Sequence, residues 1–175
     1  MRNDGLYEIV LKAYLQSKLV DDTSKTRYQM QLEMLQKNQI GATATDFSFL
    51  TSEGEIRKLS DYTDKPVLLI FYDPTCTHCA EVIAALRDHR GLNNLIEHQQ
   101  VRVLAIAAWS DQSMWKDYQK EIPNNWINGY DKAQKLIQGQ LYSLRASPTI
   151  YLLDKGLYIR EKDIDFSKLL NLLSN

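Results

Sequence analysis

The stretch Pro66-Val-Leu-Leu-Ile-Phe-Tyr-Asp-Pro-Thr-Cys-Thr-His-Cys79 joins a continuous apolar run to a pair of cysteines. The apolar residues 67–72 predict a strand that is buried on both faces, as in a parallel sheet. The residues that follow predict a helix over 76–90, with Gly91 just past its end. The cysteine pair is therefore expected where a central strand passes into a helix.

This position changes the chemistry of a thiol. The first turn of a helix leaves backbone N–H groups unpaired, and the helix dipole favours negative charge there. A thiol at that point loses its proton more readily, and the thiolate is the form that attacks a disulfide. We expect Cys76 to be the exposed nucleophile and Cys79, on the same side of the helix, to resolve the mixed disulfide. Such a redox-active pair needs no metal or organic cofactor.

The number of cysteines argues against other uses of the pair. The chain has two cysteines, whereas a secreted disulfide scaffold carries more of them at wider spacing. A zinc site would have to recruit His78, His89 or His98 as further ligands. On a continuous helix His89 would lie about 15 Å from Cys79, which is far beyond metal-ligand reach. No metal site is predicted.

Composition narrows the class of protein. The 175 residues are 44% hydrophobic, and 21 Lys and Arg against 22 Asp and Glu give a net charge of −1. This length fits one domain with an extension. The nearly balanced charge does not indicate the basic surface that a nucleic-acid-binding protein needs. No apolar run approaches the roughly 20 residues that cross a bilayer, and residues 1–20 do not have the pattern of a signal peptide. We therefore expect neither a nucleic-acid partner nor a transmembrane segment in this chain.

Residues 1–40 predict a helical extension of two helices. Leu6, Val10 and Tyr14 recur every four residues within 5–20, with Leu11, Leu15 and Leu19 alongside, which predicts an amphipathic helix with a wide apolar stripe. Residues 21–24 supply a break and a candidate N-cap for a second helix that runs to about residue 37. The small residues that follow mark a boundary near residue 40.

Residues 41–175 predict short strands that alternate with helices, which indicates an α/β sandwich with a mixed sheet. The first and last strand pairs are expected to be hairpins. The predicted elements are a hairpin over 47–59, a strand over 66–72, a helix over 76–90, a strand over 101–108, a helix over 111–121, a strand over 126–128, a helix over 132–138, a hairpin over 149–160 and a helix over 166–173.

Three stretches of this pattern resemble the thioredoxin fold and, more closely, the TlpA/ResA-like thiol–disulfide oxidoreductases. They are the opening hairpin within 46–62, the run 65–69 that leads into the cysteines, and Ser147-Pro-Thr followed by residues 150–156. The resemblance covers residues 42–175. It implies a three-layer sandwich with a mixed central sheet and an N-terminal β-hairpin, and relatives from the Bacteroides group carry similar helical extensions. It also implies a protein thiol or disulfide as substrate and an upstream redox partner.

The resemblance assigns a role to Pro148. In that family the proline of this motif is cis and packs beside the cysteines. A cis bond would turn the backbone of Ser147 toward the active site, where it can hold a strand of the substrate. The resemblance therefore implies substrate binding by Ser147 and Pro148. The alternative is an ordinary trans proline at the start of a strand.

The chain departs from the family at several positions near the cysteines. Thr75 stands where many relatives have Trp, and Val82 stands where ResA-like proteins often carry Glu. Glu81 is one residue away from that position and is expected to point elsewhere on the helix. The buried acid of cytosolic thioredoxins is replaced by Ile70. The sequence therefore identifies no proton acceptor for Cys79.

Thr77 and His78, the two residues between the cysteines, are the candidates for redox tuning. An imidazolium held near Cys76 would stabilise the thiolate and make the disulfide more oxidising. Histidine at this position also resembles oxidases and isomerases of the family more than reducing thioredoxins. We therefore predict a potential less negative than that of thioredoxin. The alternative is a solvent-exposed histidine with little effect.

The remaining polar and aromatic candidates are expected to be structural. The expected roles are a capped turn or a position near Cys76 for Asp73, surface positions for His89 and His98, and core or rim packing for Trp109, Trp115 and Trp126, of which Trp109 could instead border the active-site face.

Two functions from different classes fit these observations. The first is a thiol–disulfide oxidoreductase, whose direction the sequence leaves open. The second is a thioredoxin-fold binding module without turnover, with partner contacts through the N-terminal helices. A peroxiredoxin is disfavoured because its Thr three residues before the reactive cysteine is replaced by Asp73. The resemblance further implies an extracytoplasmic bacterial protein, periplasmic or membrane-tethered, whose export signal is absent from this sequence.

Overall fold

The computed structural model describes residues 4–173, and a mixed sheet lies at its centre. The strands are β1 (Ser48–Thr51), β2 (Ile56–Lys58), β3 (Val67–Tyr72), β4 (Arg102–Ala107), β5 (Ile127–Tyr130), β6 (Thr149–Leu153) and β7 (Ile159–Glu161). The helices are α1 (Asp4–Gln16), α2 (Asp22–Gln36), α3 (Thr77–Arg87), α4 (Arg90–Glu97), α5 (Gln112–Tyr118) and α6 (Phe166–Leu173). Within these residues the strand order is β2-β1-β5-β4-β3-β6-β7.

Strand β3 is the most enclosed element of this sheet. All of its residues are buried, and it pairs in parallel with β4 and antiparallel with β6. Every residue of β3 is apolar because both faces of a central strand are covered by other layers of the fold. The prediction of a central buried strand that leads into the cysteines is confirmed.

Alternate residues of β3 face two different layers. Leu68, Ile70 and Tyr72 belong to a hydrophobic cluster with side chains of α3, α4, α5 and α6. Leu69 and Phe71 belong to a second cluster, in which the Phe71 and Tyr142 rings lie 4.8 Å apart. Because successive side chains of a strand point to opposite faces, the sheet is the middle layer of a sandwich. The predicted fold class is confirmed.

The predicted helix over 76–90 is two helices in the structure. Helix α3 ends at Arg87, and His89 has an extended backbone. The Nδ1 atom of His89 accepts a hydrogen bond from the backbone N–H of Leu92, 3.2 Å away, and so caps α4. Gly91, predicted to follow the helix, instead lies in the first turn of α4. The prediction was wrong because the cap by a histidine ring has no clear pattern in sequence.

The predicted helix over 132–138 is a series of turns. Gln134 has a left-handed backbone with a φ of 51°, which interrupts a right-handed helix. The carboxylate of the buried Asp131 accepts hydrogen bonds from the N–H groups of Lys135, at 3.1 Å, and Leu136, at 2.7 Å. These contacts fix the segment in place without regular helix. The neighbouring strand, predicted over 126–128, runs from Ile127 to Tyr130.

Helices α1 and α2 form a hairpin with a small hydrophobic cluster of Leu11, Leu32 and Leu35. Asp21 caps α2, since its carboxylate accepts the backbone N–H of Ser24 at 2.9 Å. The predicted apolar stripe of α1 is largely exposed, and its buried member is Leu11. Its other residues stay exposed because α1 packs chiefly on α2. No helix within residues 4–173 has the length and apolar character needed to cross a membrane.

Candidate active site

The loop between β3 and α3 presents the first cysteine. The carboxylate of Asp73 accepts hydrogen bonds from the backbone N–H and the hydroxyl of Thr75, at 2.9 and 2.8 Å. The backbone N–H of Cys76 donates to the carbonyl of Asp73 at 3.1 Å. Asp73 therefore caps the turn that precedes the helix, while Cys76 itself occupies the N-cap position of α3.

The two cysteines differ in their access to solvent. Both are free thiols, and Cys76 is partly exposed, whereas Cys79 is fully buried. The two thiols are close enough to form a hydrogen bond. A sulfur atom of another protein can reach Cys76 but not Cys79. This asymmetry favours attack by Cys76 in an exchange reaction.

Ser147 brings the two cysteines into contact with a distant part of the chain. The Ser147–Pro148 peptide bond is cis, and the thiol of Cys76 donates to the Ser147 carbonyl, with sulfur and oxygen 3.8 Å apart. The hydroxyl oxygen of Ser147 lies 2.7 Å from the sulfur of Cys79. Sequence reasoning expected the backbone of Ser147 at the site but missed its hydroxyl. No local pattern could have found it, because the contact depends on how β6 lies beside β3.

Burial controls the acidity of the inner thiol. It raises the pKa of Cys79 to about 11, since an apolar surrounding disfavours the thiolate. Two hydrogen-bond donors lower the pKa of Cys79: the backbone N–H of Asp73, 3.5 Å from the sulfur, and then the hydroxyl of Ser147. The adjacent Cys76 thiol raises the pKa of Cys79. The inner cysteine is thus protonated at neutral pH.

Two tyrosines lie near Cys79. The rings of Tyr72 and Tyr118 have centroids 5.6 Å apart, and Cys79 acts electrostatically on both. Burial raises the pKa of Tyr118, and Cys79 adds to this rise. The Tyr72 hydroxyl donates to the Asn128 side-chain oxygen, 2.9 Å away, which also accepts the indole N–H of Trp115.

Ile70 and Val82, which stand where the resemblance led us to look for an acidic residue, provide no polar group near Cys79. Ile70 and Val82 are both buried in the hydrophobic cluster that contains Cys79. The polar groups that contact the Cys79 sulfur are instead the Ser147 hydroxyl and the Asp73 backbone amide. Hydrogen-bond donors, rather than a carboxylate at either of these two positions, therefore contact the Cys79 sulfur.

Thr77 and His78 are both exposed on the outer surface of α3. The Nδ1 atom of His78 lies 3.6 Å from a carboxylate oxygen of Glu81, and 63% of the His78 side chain is accessible to solvent. Sequence reasoning expected the imidazole near Cys76 and did not foresee Glu81 as its partner. The negative charge of Glu81 therefore opposes any stabilisation of the Cys76 thiolate by a positively charged His78.

The other candidates have structural positions. His89 caps α4, and His98 lies at its end, where its Nδ1 atom is 2.9 Å from the carbonyl of Asn94. Trp115 and Trp126 are buried in the core as predicted. Trp109 packs on the cluster around Phe71, on the sheet face opposite Cys79. Residues 4–173 contain no group of three or more His, Cys, Asp and Glu side chains arranged for a metal ion.

Comparison with known sequences places this site in a family. The AhpC/TSA family matches residues 40–162. The thiol-disulfide oxidoreductase ResA of Geobacillus kaustophilus (strain HTA426) is 23% identical over 122 residues, which cover 70% of this chain and 67% of that protein.

Solved structures show the same fold. A thioredoxin-like protein from Bacteroides caccae ATCC 43185 matches 99% of this chain with a TM-score of 0.92 and 33% identity, and the chain spans 62% of its length. The C-terminal domain of a protein from Bacteroides fragilis NCTC 9343 matches 79% of this chain and 99% of its own, with a TM-score of 0.75 and 31% identity. The chain therefore belongs to the AhpC/TSA family and has a thioredoxin-like fold.

Proposed function

We propose that this chain exchanges thiols and disulfides with protein substrates, with Cys76 as nucleophile and Cys79 as resolving thiol. One observation carries the proposal: a partly exposed thiol, a buried thiol and Ser147 are in mutual contact at the end of a central strand. The family of the chain supports redox activity in general. The division of labour between the two cysteines rests on their different exposure.

In the reducing direction the Cys76 thiolate attacks one sulfur of a substrate disulfide. The substrate S–S bond breaks, the leaving sulfur takes up a proton, and a mixed disulfide forms on Cys76. Cys79 then loses its proton and attacks the Cys76 sulfur. This step releases the second substrate thiol and leaves a Cys76–Cys79 disulfide. Two electrons have moved from the cysteine pair to the substrate, and an upstream redox partner returns them.

Ser147 and Pro148 are proposed to hold the substrate during exchange. The Ser147 carbonyl accepts the Cys76 thiol while that thiol is protonated. Once Cys76 enters a disulfide, the same carbonyl can accept a backbone N–H from an extended substrate strand. Pro148 lies partly exposed beside it. The substrate would thus add a short strand next to the reactive sulfur.

The proposal is tested by an equilibrium titration of the full chain against glutathione buffers, with thiol labelling as the readout. We expect one reversible two-electron transition of Cys76 and Cys79, at a potential above the roughly −270 mV of thioredoxin. A Cys79→Ser variant is the matched control, because it cannot form the intramolecular disulfide. A chain with no reversible transition would overturn the proposal and favour the binding module without turnover.

Replacing His78 with alanine is expected to make the potential more negative. The side chain is exposed and paired with Glu81, so solvent limits the effect to about 20 mV. The control is Glu81→Gln, which keeps the imidazole but removes the neighbouring negative charge and should raise the potential. The titration above measures both shifts. An unchanged potential in His78→Ala would mean that the histidine does not tune the pair.

We further propose an extracytoplasmic location and a two-part organisation, with a helical extension over 1–40 and a thioredoxin-like domain over 41–175. The resemblance to TlpA/ResA-like proteins supports the location. The separate hydrophobic cluster of Leu11, Leu32 and Leu35 supports the boundary. Fractionation of cells that produce the native protein tests the location, and recovery in the cytoplasmic fraction would contradict it.

A further inference from the structure

A cavity of about 340 Å³ lies between the helical hairpin and the segment that leads to Ser147. Tyr7 and Met30 line it from the hairpin, and Ile137, Leu144 and Arg145 line it from the segment. This size accommodates one or two large apolar side chains rather than a whole domain. The proposed exchange reaction does not use this cavity.

The walls of the cavity are held together by specific contacts. The Lys37 ammonium donates to the carbonyl of Gln140 at 2.8 Å, and the side-chain amide of Asn38 donates to the carbonyl of Leu141 at 2.8 Å. The buried Asn38 also accepts the backbone N–H of Thr45 at 2.8 Å. Three hydrogen bonds therefore join the residues that follow α2 to loops at 45 and 140–141.

The cavity is lined by residues that lie close in sequence to the candidate active site. Arg145, which lines the cavity, precedes Ser147 by two residues. The Ser147 carbonyl in turn contacts the thiol of Cys76. A substrate strand whose cysteine is bonded to Cys76 can therefore extend along this segment toward the hairpin.

The lining determines what the cavity can bind. Tyr7, Met30 and Ile137 are 36%, 45% and 39% exposed, an unusual concentration of accessible apolar surface. The unbranched methionine can adapt to different side chains. Among the described lining residues Arg145 alone is charged, and its guanidinium lies 5.3 Å from the centre of the Tyr7 ring. This lining suits apolar side chains accompanied by a carboxylate.

We propose that this cavity is a docking site for the protein substrate and binds an apolar segment with an acidic residue near the reacting cysteine. The inference rests on the proposed function, because it places the cysteine of the substrate on Cys76. It gives the N-terminal hairpin a role in substrate selection. The segment is expected roughly four residues from the cysteine, which corresponds to about 13 Å of extended chain.

Two synthetic peptides test the proposal, each offered to the reduced full chain as a mixed disulfide with glutathione. One carries Leu-Leu-Glu at the expected distance from its cysteine, and the other carries Ser-Gly-Ser there. We expect kcat/KM to be about tenfold higher for the first peptide, chiefly through a lower KM, which is the lower end of what burial of a single leucine side chain predicts. Glutathione disulfide serves as the substrate that cannot reach the cavity.

Met30→Glu should remove the preference for the apolar peptide and leave turnover of glutathione disulfide unchanged. Leu19→Glu is the matched control, because it puts the same charge on a residue that is 96% exposed and does not line the cavity. Equal kcat/KM for the two peptides, or equal effects of the two variants, would overturn the docking site alone. If the chain reduced neither of the two peptides nor glutathione disulfide, the proposed function would be overturned as well.

Discussion

Replacing Cys76 with serine will abolish disulfide reduction, whereas replacing Cys79 with serine will leave the substrate bonded to Cys76. A serine hydroxyl neither ionises at neutral pH nor forms a disulfide, so the first variant should lose at least about 1000-fold in turnover. The second variant keeps the partly exposed thiol and loses only the buried one. It should accumulate a mixed disulfide.

Reduction of insulin disulfides measures the turnover of both variants, and mass spectrometry of the acid-quenched reaction detects the mixed disulfide. Leu19→Glu is a suitable folding control, because it changes a residue that is 96% exposed and leaves both cysteines and Ser147 in place. Full turnover of Cys79→Ser would contradict the resolving role of Cys79, and an adduct that formed in Cys76→Ser instead would reverse the assigned order of the two cysteines.

Replacing Ser147 with alanine will slow the resolving step about tenfold at neutral pH. The buried Cys79 has a pKa of about 11, so roughly one molecule in ten thousand has the thiolate at pH 7. The Ser147 hydroxyl, 2.7 Å from the sulfur, stabilises that thiolate by a charge-assisted hydrogen bond. Ser147→Thr keeps a hydroxyl and should stay near the rate of the unmodified chain.

The pH dependence of the same step separates this role from a merely structural one. Burial raises the pKa of Cys79, and its thiolate becomes more abundant as pH rises, so resolution should accelerate with rising pH above neutrality. Loss of the hydroxyl raises the pKa of Cys79 further, so the profile of Ser147→Ala should move to higher pH. Release of thionitrobenzoate from its mixed disulfide with Cys76 follows the step directly. Identical pH profiles for the alanine and threonine variants would show that the hydroxyl has no part in it.

Local patterns predicted the elements that are strongly marked in sequence. The apolar run of β3 and the cysteine pair after it define the centre of the sheet and the start of α3. The final helix was predicted with its observed bounds, Phe166–Leu173. Such elements are predictable because a strand buried on both faces is a continuous apolar run, and a helix buried on one side has apolar residues at helical spacing.

Local patterns failed where one side chain overrides periodicity. The cap by His89 splits the predicted helix over 76–90, and the Asp131 carboxylate with the left-handed Gln134 replaces the predicted helix over 132–138 by turns. The apolar stripe of α1 predicted more burial than the structure contains, because a pattern shows what could be buried but not whether a partner covers it.

By itself the sequence predicted the thioredoxin-like fold, which the structure confirms, and the roles of the cysteine pair and of Ser147-Pro148, which stay predictions; each prediction depends on short contiguous motifs. The tertiary structure alone decided how these motifs act together. It made Cys79 the buried thiol, set the Ser147 hydroxyl against it from a strand far along the chain, and turned His78 toward Glu81. It also formed the cavity between the hairpin and Arg145. The physical reason is that acidity, access and binding depend on neighbours in space, which the order of residues does not specify.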